Sequence, residues 1–326
     1  MRIKLTELKE KVSTGVKKLG YEGDEAQAII DVLLYAELRG NNQGITKIAT
    51  GGVPKASEVE KFQVVRENKC GALLSGGHSM ATSVKAADIA VKLAEEHGVG
   101  VVAVNHTFSS SGAIGFFSRR IAKQGYIGFV CVGNGSFDFV APTGSAEPKF
   151  GTNPLSYAFP YEGGEVVFDA ATSAMAYFGL VEAKLKGEVV EPNIGFSKNR
   201  QPSTDAELIL EGSVATFGQH KGYGLSLLVQ TLGGAFSLAA TPKVNEEDGS
   251  GTFVMAIDPG LLAGKDEFIK RSSELIKQVK AAQPFEGDSV LIPGERGDAI
   301  RKQAEKNGEI EISDAVWQKL CDYTSN

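Results

Sequence analysis

Apolar residues at Leu5, Leu8, Val12, Val16 and Leu19 fall on one side of a 3.6-residue turn, so the chain is expected to open with a helix from near Thr6 to Gly20. A second helix is expected from an Asp24 N-cap through Ile29, Ile30, Leu33 and Leu34 to Gly40, with residues 41–44 as an irregular exit. From about Gly71 the period alternates. Helical spacing at 84–93 is followed by a strand pattern at 99–104, a helix near 112–122 and a strand at 127–132. Leu155, Tyr157 and Phe159 then alternate with Ser156 and Ala158, and residues 165–168 make another strand. A later helix is expected from His220 to Leu232, residues 245–251 read as a surface loop, and residues 265–326 are largely helical and charged. Helices and strands alternating in this way predict an α/β fold.

Composition removes several classes of partner. The 34 Lys and Arg against 40 Asp and Glu leave a formal charge of −6, without long blocks of one sign, so no footprint for nucleic acid or an anionic membrane is present. No segment approaches the ~20 apolar residues of a membrane span. The charged amphipathic N-terminus has no signal-peptide core, which predicts a cytoplasmic protein. Cys70, Cys131 and Cys321 are odd in number and widely spaced, fitting neither a disulfide framework nor a zinc site, and are expected as reduced thiols.

Candidate chemistry gathers in four loops. Gly151 lets the backbone approach a ligand, Thr152 and Asn153 offer hydrogen-bonding groups, and Pro154 fixes the exit into a strand. After Asp169, the small Ala170 and Ala171 leave room, and Thr172-Ser173 sit where a following helix would expose free N–H groups to an anion. A turn and an N-cap account for either segment alone. Ser109, Ser110 and Ser111 with Gly112 and Gly115 lie between a strand and a helix, the place for donors to meet phosphate, although a Ser/Gly loop is usually only a loop. His220, Lys221 and Gly222 open the later helix, where a terminal lysine is more often a solvated charge. No Gly-x-Gly-x-x-Gly in a βαβ context and no Walker motif is present, so a nucleotide site here is not one of the standard ones.

Ala36-Glu-Leu-Arg-Gly40, Gly151-Thr-Asn-Pro154, Asp169-Ala-Ala-Thr-Ser173, Lys221-Gly-Tyr-Gly224 and Pro293-Gly-Glu295, in this order, resemble the malate/L-lactate dehydrogenase family over essentially the whole chain. This group includes sulfolactate, ureidoglycolate and diketogulonate dehydrogenases and cyclic-imine reductases, and is unrelated to the Rossmann-type lactate dehydrogenases. The resemblance implies a mixed, non-Rossmann sheet flanked by helices. It implies an NAD(P)-binding α/β domain over 71–264 and a helical substrate and dimerisation part from 1–70 with 265–326. It also implies a homodimer, NAD or NADP as cofactor, and hydride transfer to or from a small 2-hydroxy, 2-oxo or cyclic imino acid. Carried over by position, Ser111, Gly112, Gly115, Gly151, Thr152, Asn153, Pro154, Ala171, Thr172, Ser173, His220, Lys221 and Gly222 correspond to cofactor contacts.

Both histidines of the family pattern are replaced. Gln43 stands at the first position and Lys47 where an arginine usually holds the substrate carboxylate, with one residue fewer between Gly40 and Gly44. Lys47 attracts a carboxylate as a point charge without a bidentate fork, and Gln43 hydrogen-bonds but does not titrate. Ser109 or Ser110 falls at the second histidine position, with His106 a few residues earlier as either a shifted substitute or an ordinary strand-end residue. His78 and His97 read as loop and helix-end residues. Two accounts of these losses stand. Either the protein is a reductase whose proton comes from Asp169, from water held by Gln43 and a serine, or is not needed because the substrate is an iminium; or it is a cofactor-binding sensor or partner subunit with impaired catalysis. A sugar-phosphate transferase is a third reading of the Thr/Ser-rich loops.

Overall fold

The computed structural model describes residues 1–326 apart from Thr50, Ser136, Lys243 and Asn326 and apart from the side chains of Ala49, Leu185 and Lys186. Strand β1 (Arg2–Lys4) leads into α1 (Leu5–Lys18), α2 (Gly23–Glu37) and the short α3 (Thr46–Ala49). The helix α2 starts one residue before the expected cap: Glu22 holds the N-cap position, with no side-chain bond, and Asp24 lies inside the first turn. An acidic residue there still favours the helix through the positive end of its dipole.

Next come β2 (Gln63–Asn68), β3 (Gly71–Ser75), α4 (Ser79–His97), β4 (Val99–Thr107), α5 (Gly115–Ala122) and β5 (Ile127–Gly133). Helix α4 begins five residues earlier than its apolar spacing indicates, because the His78 side chain accepts the Met80 N–H and caps it. The strands β6 (Leu155–Tyr161) and β7 (Gly164–Ala170) lead to α6 (Tyr177–Lys186), β8 (Gly195–Phe196), β9 (Pro202–Ser203), α7 (Ala206–Glu211), β10 (Ser213–Val214) and α8 (His220–Gln230). The chain finishes with β11 (Ser250–Ile257), α9 (Lys265–Lys280), α10 (Glu295–Asn307), β12 (Glu309–Glu311) and α11 (Asp314–Ser325).

Seven strands form the main sheet in the order β2-β3-β4-β11-β5-β6-β7. Only β3 and β4 are parallel among its pairs, so the sheet is mixed and is not the parallel Rossmann arrangement. Its middle strand, β11, was not legible as a strand: the stretch at 245–251 is not a loop throughout, since Ser250 and Gly251 already pair with β4 and β5. Alternation along β5 and β11 divides two cores. Val130, Val132, Val254 and Ala256 face α4 and α5, whereas Cys131 and Phe253 pack with Val229 of α8 on the opposite face. Gly233, in the π-helical turn Thr231–Phe236 after α8, lies flat on the sheet: a Cβ on Gly251 would come within 2.0 Å of its carbonyl oxygen.

A smaller lobe built from β8, β9, β10, α6 and α7 has a core of its own around Phe139, Val140, Phe150, Leu180, Ile209 and Val214. At the other end, β1 pairs with β12 and α1 packs on α11, so residues near both termini form one helical layer. No helix among the described residues is long and apolar enough to cross a membrane.

Candidate functional site

The loop after α2 is set by a half-buried carboxylate. Glu37 accepts the Ile45 N–H at 2.9 Å, and Gly44 lies so close that a Cβ there would sit 2.2 Å from Glu37 Oε2. Burial pushes the Glu37 carboxyl above its ordinary value. Within the loop the Gln43 N–H donates to Asn41 Oδ1 (2.9 Å) and its side-chain amide to Asn42 Oδ1 (3.1 Å). Held by this turn, Lys47 on α3 is only 8% exposed. Its ammonium lies 4.4 Å from the centre of the Phe178 ring, and no carboxylate among the described residues lies within ion-pair distance of it. Burial lowers it to about 8.

Opposite stands the loop between β4 and α5. Ser109 Oγ accepts the Ser79 N–H (2.8 Å), Ser110 Oγ accepts the Gly112 N–H (3.2 Å), and the Gly115 N–H donates to Asp169 Oδ2 at 2.8 Å. A Cβ on Gly115 would sit 3.0 Å from that carboxylate, so glycine permits the contact. Asp169, near the end of β7, is an exposed residue that lines two adjoining cavities. Burial pushes it up to about 6, while the Gly115 N–H and the Arg39 guanidinium pull it back.

The two paired segments of the sequence divide their labour. Thr172 donates its N–H to Thr152 O (3.0 Å) and its hydroxyl to Asn153 O (2.9 Å), and lies 2.7 Å from the Ser226 hydroxyl. The Asn153 side chain donates to Ser226 O and Gln230 Oε1, at 3.1 and 3.0 Å, and Ser173 Oγ donates to Met175 O. Asn153 and Thr172 are therefore a buried clasp that ties both loops to α8, with Ser173 buried beside them. Gly151 backs onto Asn134, and Gly222 onto Phe217 and Thr172.

Between these walls is a cleft of about 470 Å³. Of the residues expected at a site, Gln43, Lys47, Ser110, Ser111, Gly112, Thr152, Pro154, Asp169 and Ala171 line it. Gly115, Gly151, Asn153, Thr172, Ser173 and Gly222 stand behind the wall, while His220 and Lys221 are exposed in the first turn of α8 and do not line the cleft. His106 does not reach it either: it is held with a φ of 51° and faces Asp248 (3.5 Å) and Glu60 (3.9 Å). His78 is fully buried, edge-on to Tyr21. Sequence reasoning missed Asn41, Asn42 and Asn134 and an aromatic wall of Phe108, Phe137, Tyr177 and Phe178. The usable signal was Phe108 and Phe137 standing in otherwise polar, glycine-rich loops, whereas Tyr177 and Phe178 open α6 and carried no such signal.

A second groove, about 510 Å³, adjoins the first and shares Asn41, Asn42 and Asp169 with it. Arg39 forms its base, donating to Gly294 O (2.9 Å) and to Asp298, which also accepts from Arg119 at 2.6 Å. Arg119 completes the chain with Glu165 at 3.1 Å. Burial opposes ionisation of Asp298, but Arg119 and Arg39 outweigh it and hold the carboxyl below its ordinary value. Two motifs far apart in sequence, around Arg39 and Gly294, meet here. Replacing Asp298 with Ala leaves two largely buried guanidinium groups short of a partner and is expected to cost about 3–5 kcal/mol of stability, measured as a drop in the urea midpoint.

A mixed seven-stranded sheet carrying a cleft lined by a buried lysine and a carboxyl defines an α/β enzyme fold outside the Rossmann class. The model of the malate/L-lactate dehydrogenase family matches residues 3–321, and the chain belongs to that family. It is 32% identical over 314 residues to an L-sulfolactate dehydrogenase of Methanothermobacter thermautotrophicus, covering 91% of this chain and 89% of the relative. A Delta(1)-pyrroline-2-carboxylate reductase of Burkholderia ambifaria is 31% identical over 253 residues, 75% of this chain and 72% of that one. The solved sulfolactate dehydrogenase of Methanocaldococcus jannaschii superposes with a TM-score of 0.86 at 28% identity, covering 100% of this chain and 97% of the other.

Proposed function

We propose that the cleft transfers a hydride between a nicotinamide dinucleotide, NAD or NADP, and C2 of a small carboxylate substrate, a 2-hydroxy or 2-oxo acid or a cyclic imino acid. One observation carries this reading. Lys47 and Asp169 line a single cleft, the first as an ammonium without a carboxylate partner, the second as a carboxyl raised into the range useful for proton transfer. Family membership supports the same chemistry.

The cleft fits a nicotinamide. Small side chains at Gly112, Ala170 and Ala171 leave flat walls, and Ser111, Thr152 and Asn134 present polar groups for an amide and ribose hydroxyls. Ser111, Gly112, Thr152, Pro154 and Ala171 would hold the dinucleotide, with the clasp of Asn153 and Thr172 keeping their loops in place. When bound, the nicotinamide supplies or accepts the hydride. Lys47 holds the substrate carboxylate, Gln43 and Ser110 border the reacting oxygen, and Asp169 gives a proton to that oxygen in reduction and takes it in oxidation. With an iminium the carbon is already cationic, so the hydride adds without simultaneous protonation, and Asp169 acts as a fixed counter-charge.

Loss of NADH or NADPH absorbance with a panel of 2-oxo acids and cyclic imino acids tests the reading. Turnover with at least one member is expected. Saturable cofactor binding with no turnover on any member would leave a binding subunit in its place, and thermal protection by sugar phosphates but not by NAD(P)H would favour the transferase. The chain is also proposed to act as a homodimer. Leu227, Leu228, Phe236 and Leu238, all about half exposed, form an apolar surface on and just after α8 that suits a partner. Sedimentation should give twice the chain mass.

A further inference from the structure

We infer that the substrate is a monocarboxylate with a flat, aromatic body, and that acids carrying a second anionic group are rejected; the inference rests on the hydride-transfer reading above. Among the described residues Lys47 is the one cation lining the cleft, and Asp169 is the one carboxylate. A substrate carboxylate seated on Lys47 therefore uses the positive charge that lines this cleft. A second carboxylate or a sulfonate within the cleft would be desolvated without a cation beside it.

What the cleft offers the rest of the substrate is carbon. Phe178, beneath the Lys47 ammonium, meets the edge of Tyr177 at 5.5 Å between ring centres. Tyr177 in turn sits edge-on to Phe137 and Phe139, at 5.4 and 5.2 Å. Phe137 stacks on the buried Phe139, with 24° between the ring planes, and is itself 40% exposed. Because Phe137, Tyr177 and Phe178 all line the cleft, the wall beside the anion site is an ordered tier of rings held by the small lobe. Such a wall favours a planar apolar group in offset or edge contact.

The reaction class follows. A 2-oxo acid with an aryl group on C3 takes a hydride at C2 from NAD(P)H and a proton at its oxygen from Asp169. It becomes the aryl 2-hydroxy acid as NAD(P)H becomes NAD(P)⁺, and water restores the proton to Asp169.

The test compares kcat/KM for phenylpyruvate, pyruvate and oxaloacetate with one reduced cofactor, alongside calorimetric titration of the same three acids into the full chain saturated with oxidised cofactor. Phenylpyruvate is expected to exceed pyruvate by about 10–100-fold and to bind more tightly, with oxaloacetate the poorest by both measures. In Phe137→Leu the ratio of phenylpyruvate to pyruvate should fall about tenfold. Oxaloacetate used or bound as well as phenylpyruvate overturns the inference. So does a Phe137→Leu variant whose defect lies in NADH affinity, measured by fluorescence titration, because the wall would then belong to the cofactor. If no member of the wider panel of 2-oxo and cyclic imino acids is reduced, the hydride-transfer reading fails, and the order of the three binding constants still decides whether the cleft selects an aromatic monocarboxylate.

Discussion

Asp169→Asn is expected to lower turnover about 10²–10⁴-fold and to remove one limb of the pH profile while the protein stays folded. In oxidation of a hydroxy acid Asp169 must be ionised to take the proton and Lys47 must be charged to hold the carboxylate. With the two groups shifted to about 6 and about 8, kcat/KM rises as pH passes about 6 and falls as it passes about 8. Reduction needs Asp169 protonated, so it is fastest below about 6 and declines through both values. The Asn variant loses the step near 6 and keeps that near 8. Its stability follows from the same shift. A carboxyl whose folded value is raised above its unfolded one is destabilising once ionised, in full above about pH 6 and vanishing below the unfolded value. The amide escapes that penalty and still accepts the Gly115 N–H, so at pH 7 the variant should unfold no earlier than the parent. Near-normal activity in Asp169→Asn would remove Asp169 from proton transfer.

Lys47→Met carries the second large effect, and it runs in opposite directions for binding and folding. Loss of a charge-assisted contact worth about 1.5–3 kcal/mol raises KM for a carboxylate substrate by about 10–100-fold, with a much smaller change in cofactor affinity, and the step near pH 8 disappears. The wild-type ammonium is buried against Phe178 without a carboxylate, so its folded value lies below its unfolded one. Stability consequently rises between about pH 8 and the ordinary lysine value, and the full cost, on the order of 3 kcal/mol, applies below about 8. A thioether of similar length avoids it. The variant should melt higher than the parent at pH 7 while binding substrate worse, the trade expected where a group is kept for function against stability. An unchanged KM would exclude Lys47 as the carboxylate anchor.

Local periodicity made most elements readable, and failed where burial or capping was decided at a distance. Helix α1 matched because its apolar stripe is its packing surface. The start of α4 was hidden because its cap is a histidine, an unusual choice that the fold supplies by burying His78. The strand β11 escaped because it is central: buried on both faces, it lacks the alternation that marks a half-exposed strand, and its acidic, glycine-rich approach resembled the end of a loop. Of the residues that line the cleft, Asp169, Thr152 and Gly112 were singled out from residue type and order, and Lys47 from the family resemblance. The division of the Gly151–Ser173 segments into cleft wall and buried clasp was not, since Thr172 facing Ser226 depends on where α8 lands. Phe137 and Tyr177 were missed for the same reason, because nothing local says that they share a wall with Lys47.

The position of β11 also governs how the sheet is assembled. Val99–Thr107 and Ile127–Gly133 are neighbours in sequence but not in space, since the strand between them is made from residues 250–257. Until that segment arrives, two valine-rich edges with unpaired backbone groups face each other across an open slot. Closing it demands a contact between residues as distant as Val104 and Thr252, a slow step paid in loop entropy. Nascent or truncated chains ending before Ser250 therefore present two unpaired edges at once, the ones that β11 covers in the full sheet.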